Sequence, residues 1–437
     1  MPSLNSTKGG SMALLWASLM VAVVSCSDNE IVATQQAAES QLGQLSAGEI
    51  HTASLVLDAH ADIVIASTSS AYLSADGSSK VAPAKMRAGG VDAVVMSVAV
   101  GPGPRTKEGD AEARAEADEK LEAVRALATE SQGQVVIATT SAELLAAHEA
   151  GQIALILGFQ NARSLQGSVA AIDEFYAAGV RIFGLNHLGH NDFSDSSRPE
   201  FNGETGEYEA TEEHKGLSPL GRAAIERINA LGAIVDVSQM SKAATLETLQ
   251  LTTAPVIASH SNVKAVSDVS RNLSDEEIDL IGENAGVIHV AAFKGYLLNI
   301  SEPEFVVTLK RLRREAGISE EYNYPYELYW EIDDLAARTA FTTAVSELLG
   351  PATTENMIEH IDYIVNRIGV DHVGIGNDFN HGSGIDDYND ASETANITAG
   401  LLNHGYSKAN IDKIWSGNFL RVLEAAAANK TLPSSND

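Results

Sequence analysis

From Leu55 onward the chain repeats one rhythm: an apolar run of strand type, a turn, then a stretch with apolar residues at helical spacing. The strand-like runs are 55–62, 91–100, 153–160, 180–187, 233–239, 255–260, 286–293 and 372–378. Helical patterns fall between them at 109–129, 140–150, 219–231, 242–251 and 274–281, and 134–137 reads as an accessory strand. Runs that are apolar throughout suit a parallel sheet covered on both faces. Strands alternating with helices in this number predict a (β/α)₈ barrel of the TIM type. An open, doubly wound sheet is the second choice. The stretch from Lys294 to about Arg367 is mostly helical in pattern and reads as extra helices inserted before the last strand. Aromatic residues crowd positions 322–330, where ordinary packing is favoured over a lid or wall beside a site.

The polar residues that end these runs are of one kind. The first run, Leu55-Val-Leu-Asp-Ala-His-Ala-Asp62, closes on His60 and Asp62, and residues two apart on a strand share a face. The third ends in Gln160, the fourth in His187, the fifth in Gln239, the sixth in His260 and the eighth in Asp378. Any one of these could be a satisfied polar residue at a strand tip. In a barrel of this kind, however, chemistry sits at the C-terminal ends of the strands. Imidazoles and carboxylates gathered there point to a metal-dependent hydrolase.

Composition changes the picture little. The chain of 437 residues is 44% apolar and 20% charged, which is ordinary for one large globular domain. Its net charge of −30 argues against binding a nucleic-acid backbone. The N-terminus says more. Lys8 precedes an apolar run over 12–24, too short for a comfortable membrane span, and Val23-Val24-Ser25-Cys26 follows. Cys26, the only cysteine, stands where a secretory signal would end, so 1–25 reads as a lipoprotein signal peptide and Cys26 as the lipidated first residue. An ordinary signal peptide containing a cysteine is the alternative. By resemblance to sorted lipoproteins, Ser27 is compatible with delivery to an outer membrane, facing the periplasm. Residues 26–50 then read as a flexible tether, 51–428 as the barrel domain and 429–437 as a polar tail.

The ordered motifs resemble the membrane (renal-type) dipeptidases, zinc peptidases built on a (β/α)₈ barrel. The resemblance runs from about Leu55 to Glu424. It is carried by Asp58-Ala-His-Ala-Asp62, Gly89-Gly-Val-Asp-Ala93 and Leu185-Asn-His-Leu-Gly-His-Asn-Asp-Phe-Ser-Asp-Ser196. Gly216-Leu-Ser-Pro-Leu-Gly221, Ile234-Val-Asp-Val-Ser238, Pro255-Val-Ile-Ala-Ser-His-Ser261 and Arg271-Asn272 follow. Gly374-Ile-Gly-Asn-Asp-Phe379 and Gly417-Asn-Phe-Leu-Arg-Val422 complete the set. The resemblance implies two zinc ions bridged by a carboxylate and a hydroxide. His60 and Asp62 match ligands of the first ion, and His260 matches a ligand of the second. Asp378 matches the acidic residue that handles the protons of the attacking water and leaving amine. His187 matches the histidine that steadies the oxyanion, and Arg271 the arginine that grips the substrate carboxylate. His190 falls where the family is variable and inherits no role.

Two positions depart from the pattern. Gln160 stands where the family has its bridging glutamate, and Gln239 where it has another histidine of the second ion. A glutamine oxygen can touch a metal, but it is neutral and cannot bridge two dications. The second ion would keep one full-strength ligand, His260, where zinc ordinarily takes three protein ligands and a water. Three readings follow: one ion held by His60, Asp62 and Asp378; two ions held weakly; or a binding pocket without turnover. Both departures strike the same ion and leave the first intact, which favours an altered working site over a dead one.

The expectation is a lipid-anchored metallodipeptidase of a bacterial cell envelope. It would cleave the single amide of a short peptide, including one with a C-terminal D-residue. The alternatives are a metal-dependent hydrolase of another small amide, lactam or lactone, and a catalytically silent peptide-binding lipoprotein. The resemblance adds the expectation of a homodimer.

Overall fold

The protein is described by a computed structural model covering residues 45–202, 205, 207–320, 332 and 334–431. The proposed signal peptide, Cys26, most of the proposed tether, the aromatic cluster at 322–330 and most of the polar tail lie outside the described residues.

The folded chain starts earlier than the tether reading placed it. Ser46 accepts the backbone N–H of Glu49 while Glu49 reaches back to the Ser46 N–H, a capping box that starts the helix Ala47–Thr52. Ile50 and His51 of that helix are buried, and the His51 ring bonds Thr398 and Gly89 O. Burial on one face makes residues 47–50 part of the domain.

Eight strands follow: β1 Leu57–Asp62, β2 Ala93–Ala99, β3 Ile153–Gln160 and β4 Val180–Gly184. The others are β5 Ile234–Asp236, β6 Ile257–Ala258, β7 Val287–Val290 and β8 Val373–Ile375. They pair in chain order and all in parallel. The ring closes at its upper rim, where Asp62 N donates to Phe379 O (2.9 Å) and Asp378 N to His60 O (3.0 Å). This is the (β/α)₈ barrel that the periodicity predicts. The accessory strand Val135–Ile137 pairs with the start of β3, outside the ring.

Inward-facing residues of the strands, among them Leu57, Ala59, Val95, Ile156, Ile182 and Ile257, form one buried cluster. The C-terminal helix Asn418–Ala428 joins it with Phe419, Val422, Leu423 and Ala426. The predicted helices form, some with boundaries shifted by one or two residues, as Lys107–Glu130, and others as read, as Pro219–Leu231. The latter starts with Ser218 as cap and Pro219 at its first position and ends on a left-handed Gly232. The insertion before β8 contains Lys294–Leu297, Pro303–Glu315, Leu335–Leu349 and Thr354–Ile368. Its middle pair of helices has a small core of its own around Leu309, Phe341 and Val345.

The strands stop sooner than the hydrophobic runs do. β4, β5, β6 and β8 end before His187, Gln239, His260 and Asp378, which sit on turns beyond the last ladder bonds. Gln239 (φ 68°) and Asp378 (φ 61°) are left-handed, a conformation a ladder cannot hold.

Close backbone approach below this rim depends on Gly376. A Cβ there would lie 1.8 Å from Ser259 O. Gly376→Ala is expected to cost about 1–3 kcal/mol or more, as overpacking against backbone does. A lowered urea midpoint with unchanged slope would show it; an unchanged midpoint would contradict the packing described.

Candidate active site

The end of β1 and the loops above β4, β6 and β8 bring residues far apart in sequence to one buried place. His60 Nε2 lies 3.4 Å from Asp62 Oδ1 and 3.8 Å from Asp378 Oδ1. The His260 ring stacks on His60 with centroids 3.8 Å apart. Ligand atoms of His60, His260 and Asp378 all fall within 4.8 Å of one another, and all three residues are buried. His60 Nε2 and Asp62 Oδ1 have no hydrogen-bond partner. Two buried lone-pair atoms left without donors, with a second carboxylate beside them, suit a hard or borderline divalent cation. The first metal position of the sequence analysis therefore fits the residues present.

The protonation pattern agrees. Burial alone would raise the Asp62 carboxyl, but the hydrogen bond and charge of His381 outweigh it and hold Asp62 well below the ordinary carboxylate range. Burial raises the Asp378 carboxyl above its ordinary value, against the pull of His381 and His60. One carboxylate is thus held ionised while the other is shifted toward a proton-accepting role.

His381, which the sequence analysis did not single out, connects two of the predicted residues. Its Nδ1 lies 3.0 Å from Asp62 Oδ2 and its Nε2 3.1 Å from His187 Nε2. Its ring stacks on Tyr72. Burial opposes a proton on His381, yet the hydrogen bond and charge of Asp62 raise its pKa; burial and the charge of His381 push His187 well below the ordinary histidine value. With the proton on His381, His187 Nε2 accepts from it.

Arg271 is 3% exposed and donates to Ser261 Oγ (3.0 Å) and His260 O (2.6 Å). Among the described residues no carboxylate pairs with it. Its guanidinium lies over the Tyr296 ring, 5.4 Å from the centroid. A buried cation with no counter-ion leaves a place for an anionic ligand group. Asp62, His187, Arg198, Arg271 and His381 all line one cavity of about 400 Å³, within the range of small-molecule sites.

The His260 side differs. Gln160 Nε2 and Gln239 Nε2 lie 3.3 and 3.2 Å from His260 Nε2, so amides surround the atom that the second ion would need. Gln239 Oε1 accepts from Arg198 Nη2 at 2.8 Å. Arg198 is the second residue that the sequence analysis missed. It stands in the loop after β4, whose Ser197 N donates to Gln239 O. His190 has a structural place in that loop: its Nδ1 accepts from Ser196 N and its Nε2 donates to Ala210 O.

A model of the membrane dipeptidase family (peptidase family M19) matches residues 45–436. The chain is 30% identical over 290 residues to dipeptidase tcpJ of Claviceps purpurea, covering 64% of this chain and 54% of that protein. It is 28% identical over 296 residues to dipeptidase aclJ of Aspergillus oryzae, covering 66% and 57%. The chain therefore spans little more than half the length of these curated relatives. The probable dipeptidase PvdM from Pseudomonas aeruginosa has a similar structure, with TM-score 0.78 and 32% identity over 89% of this chain and 99% of that one. A metallo peptidase from Rhodobacter sphaeroides, solved with a phosphinate mimic of the dipeptide L-Ala-D-Ala, shares the fold at TM-score 0.66 and 20% identity, over 85% and 99%.

His381 orients Asp62 from behind, so His381→Ala is expected to weaken zinc binding about 10–100-fold, the usual cost of removing such a partner. Competition against a chromophoric chelator measures it, and unchanged affinity would remove His381 from this role.

Proposed function

The chain belongs to the membrane dipeptidase family, and we propose that it is a metal-dependent dipeptidase acting on short peptides with a free C-terminal carboxylate. The observation that carries this reading is the orphaned His60–Asp62 ligand pair, whose Asp62 lines the same cavity as a buried Arg271 that has no carboxylate partner among the described residues. A group that needs a metal and a group that needs an anion, so placed, suit an amide one residue from a carboxylate.

His60, Asp62 and Asp378 would hold the ion, with His260 beside them. When bound, zinc or a similar ion polarises a carbonyl and lowers the pKa of a water to about 7. Arg271 presents its fork to the substrate carboxylate and so fixes which amide reaches the rim. Asp378, its carboxyl raised by burial, takes the proton of the attacking water and delivers it to the leaving amine. His187 turns its Nε2 from His381 to the substrate as negative charge develops on the carbonyl oxygen, and His381, tied to Asp62, supplies the proton for that hydrogen bond. The cavity admits dipeptides and excludes folded proteins by size. Substrates with a D-residue at the second position fall within the proposal. So do an anchor at Cys26, a place in a bacterial envelope facing the periplasm, and a homodimer.

Two outcomes are expected. Chelator treatment abolishes hydrolysis of a panel of L,L and L,D dipeptides and added Zn²⁺ restores it; no hydrolysis with Zn²⁺, Mn²⁺ or Co²⁺ supplied would sink the proposal. Arg271→Ala lowers kcat/KM for carboxylate-bearing dipeptides by about 2–5 kcal/mol and leaves C-terminally amidated ones nearly unchanged. An equal loss on both would point to the other small-amide hydrolase reading.

A further inference from the structure

Arg271 shares its cavity with a buried lysine that comes from another helix. Lys120 lines the cavity from the helix Lys107–Glu130, which follows β2, and is 7% exposed. Its Nζ donates to Ala99 O at 2.5 Å and lies 2.9 Å from Glu116 Oε1, one helical turn back. An ammonium carries three N–H donors, and the third has no partner among the described residues. Glu116 also lines the cavity, but its side chain is 40% exposed against 9% for Lys120. Water screens the carboxylate more than the ammonium, so the buried end of the pair is the positive one.

The barrel fixes where Lys120 stands relative to Arg271. Ala99 ends β2, whereas Arg271 is bonded to His260 O, just beyond β6. β2 and β6 are four strands apart in a closed ring of eight, so they face each other, roughly 14 Å across in a barrel of this size. The metal-facing residues lie on the way round between them: Asp378 after β8, and His60 and Asp62 on β1. Asp62 pairs with Ser97 of β2, two residues before Ala99. Round the rim the order is therefore Arg271, the metal-facing residues, Lys120. A dipeptide held at its carboxylate by Arg271, with its amide at the metal, directs its first residue toward β2. Its extended main chain covers only about 7 Å of that span. The side of the first residue covers the rest, and an ammonium N–H binds a carboxylate there more strongly than a neutral group.

We propose that Lys120 is a specificity-determining residue that binds a second carboxylate, carried by the substrate residue before the scissile amide. An α-linked glutamate supplies that group from its side chain, and a γ-linked glutamate from its α-carboxylate. The inference rests on the dipeptidase reading above, which places the C-terminal carboxylate on Arg271, and adds the chemistry of the substrate's other end. Glu116 steadies the ammonium from the solvent side and leaves one N–H to the ligand.

The measurement is a ratio, because a lysine that only tied its helix to the end of β2 would affect all substrates alike. kcat/KM of the zinc-supplied full chain is compared for Glu-Ala, γ-Glu-Ala, Gln-Ala and Leu-Ala. The native protein is expected to favour at least one glutamyl peptide over Gln-Ala by about 10–100-fold, the range of a charge-assisted hydrogen bond. The favoured linkage identifies the source of the carboxylate. In K120M the preference disappears, and K120Q replaces K120M if the latter does not fold. Calorimetry on the zinc-free protein reads the same ratio in Kd. A native protein without preference for either glutamyl peptide would overturn the inference, as would a preference that survives loss of the Lys120 charge. Cleavage of Gln-Ala and Leu-Ala with no glutamyl preference would remove this inference and leave the function. No cleavage of any peptide would remove the function, and the Kd ratio then decides the inference by itself.

Discussion

Asp58 ties the first and last strands of the barrel together. Its Oδ1 accepts the backbone N–H of His60 (3.2 Å) and of Asn377 (2.9 Å), and its Oδ2 accepts Asn377 Nδ2 (2.8 Å). One buried carboxylate thus spans β1 and the turn after β8, positions 319 residues apart in the chain. Burial pushes its carboxyl up to about 6 against those three N–H donors, so the clamp depends on their staying in place. The rim depends on the same closure. His60 and Asp378 belong to the two segments it joins, and the Asp378 N–H to His60 O bond lies just above it. A ring open at this seam would leave the metal ligands on separate strand ends.

Above the clamp, Asp62, Asp236 and Arg198, unlike Arg271, are tied into the hydrogen bonds that hold the metal-facing residues. Asp62 has His381 on one oxygen and leaves the other toward His60. Asp236 is bonded by Ser238 N, Ser259 N and Ser259 Oγ, and steadies His260 through the serine. Arg198 is placed between Gln239 and Tyr296. Among the described residues Arg271 has neutral acceptors and the face of Tyr296. Burying a guanidinium without an anion costs several kcal/mol, and that cost is tolerable where a ligand supplies the anion. The position of the uncompensated charge therefore says more about the substrate than the cavity volume does.

Much of this was legible in the sequence, and the remainder was hidden for identifiable reasons. Eight apolar runs of strand length separated by capped helices made the barrel readable, because parallel strands buried on both faces leave an unbroken apolar signal. His60, Asp62, His260 and Asp378 were readable as polar ends to those runs, and they do converge. His381 was not, since it lies three residues past Asp378 on an irregular turn, where periodicity carries no information. Arg198 stands in Asp195-Ser-Ser-Arg-Pro199, which reads as a polar surface loop. Only folding brings it 41 positions across to Gln239. The strand ends were overestimated for a related reason. Composition stays apolar up to the functional residue while the backbone has already left the ladder.

That departure from the ladder has a physical purpose. Asn161, Gln239, Asp378 and Asn380 all adopt left-handed backbone at the rim, at φ 82°, 68°, 61° and 67°. Asparagine and aspartate tolerate this region; glutamine does so at a cost of about 1–2 kcal/mol. A strand continued past the rim would point alternate residues away from the axis. One left-handed residue reverses the chain and turns the side chain inward instead. Local bonds hold each reversal: Asn161 N to Gly184 O, Ser197 N to Gln239 O, Asp378 N to His60 O, and Asn380 Nδ2 to Asp62 O. The strain falls on the residues that face the site and on their immediate neighbours. A sequence free to relax would place glycine, asparagine or aspartate at all four positions, so glutamine at 239 is there for its side chain.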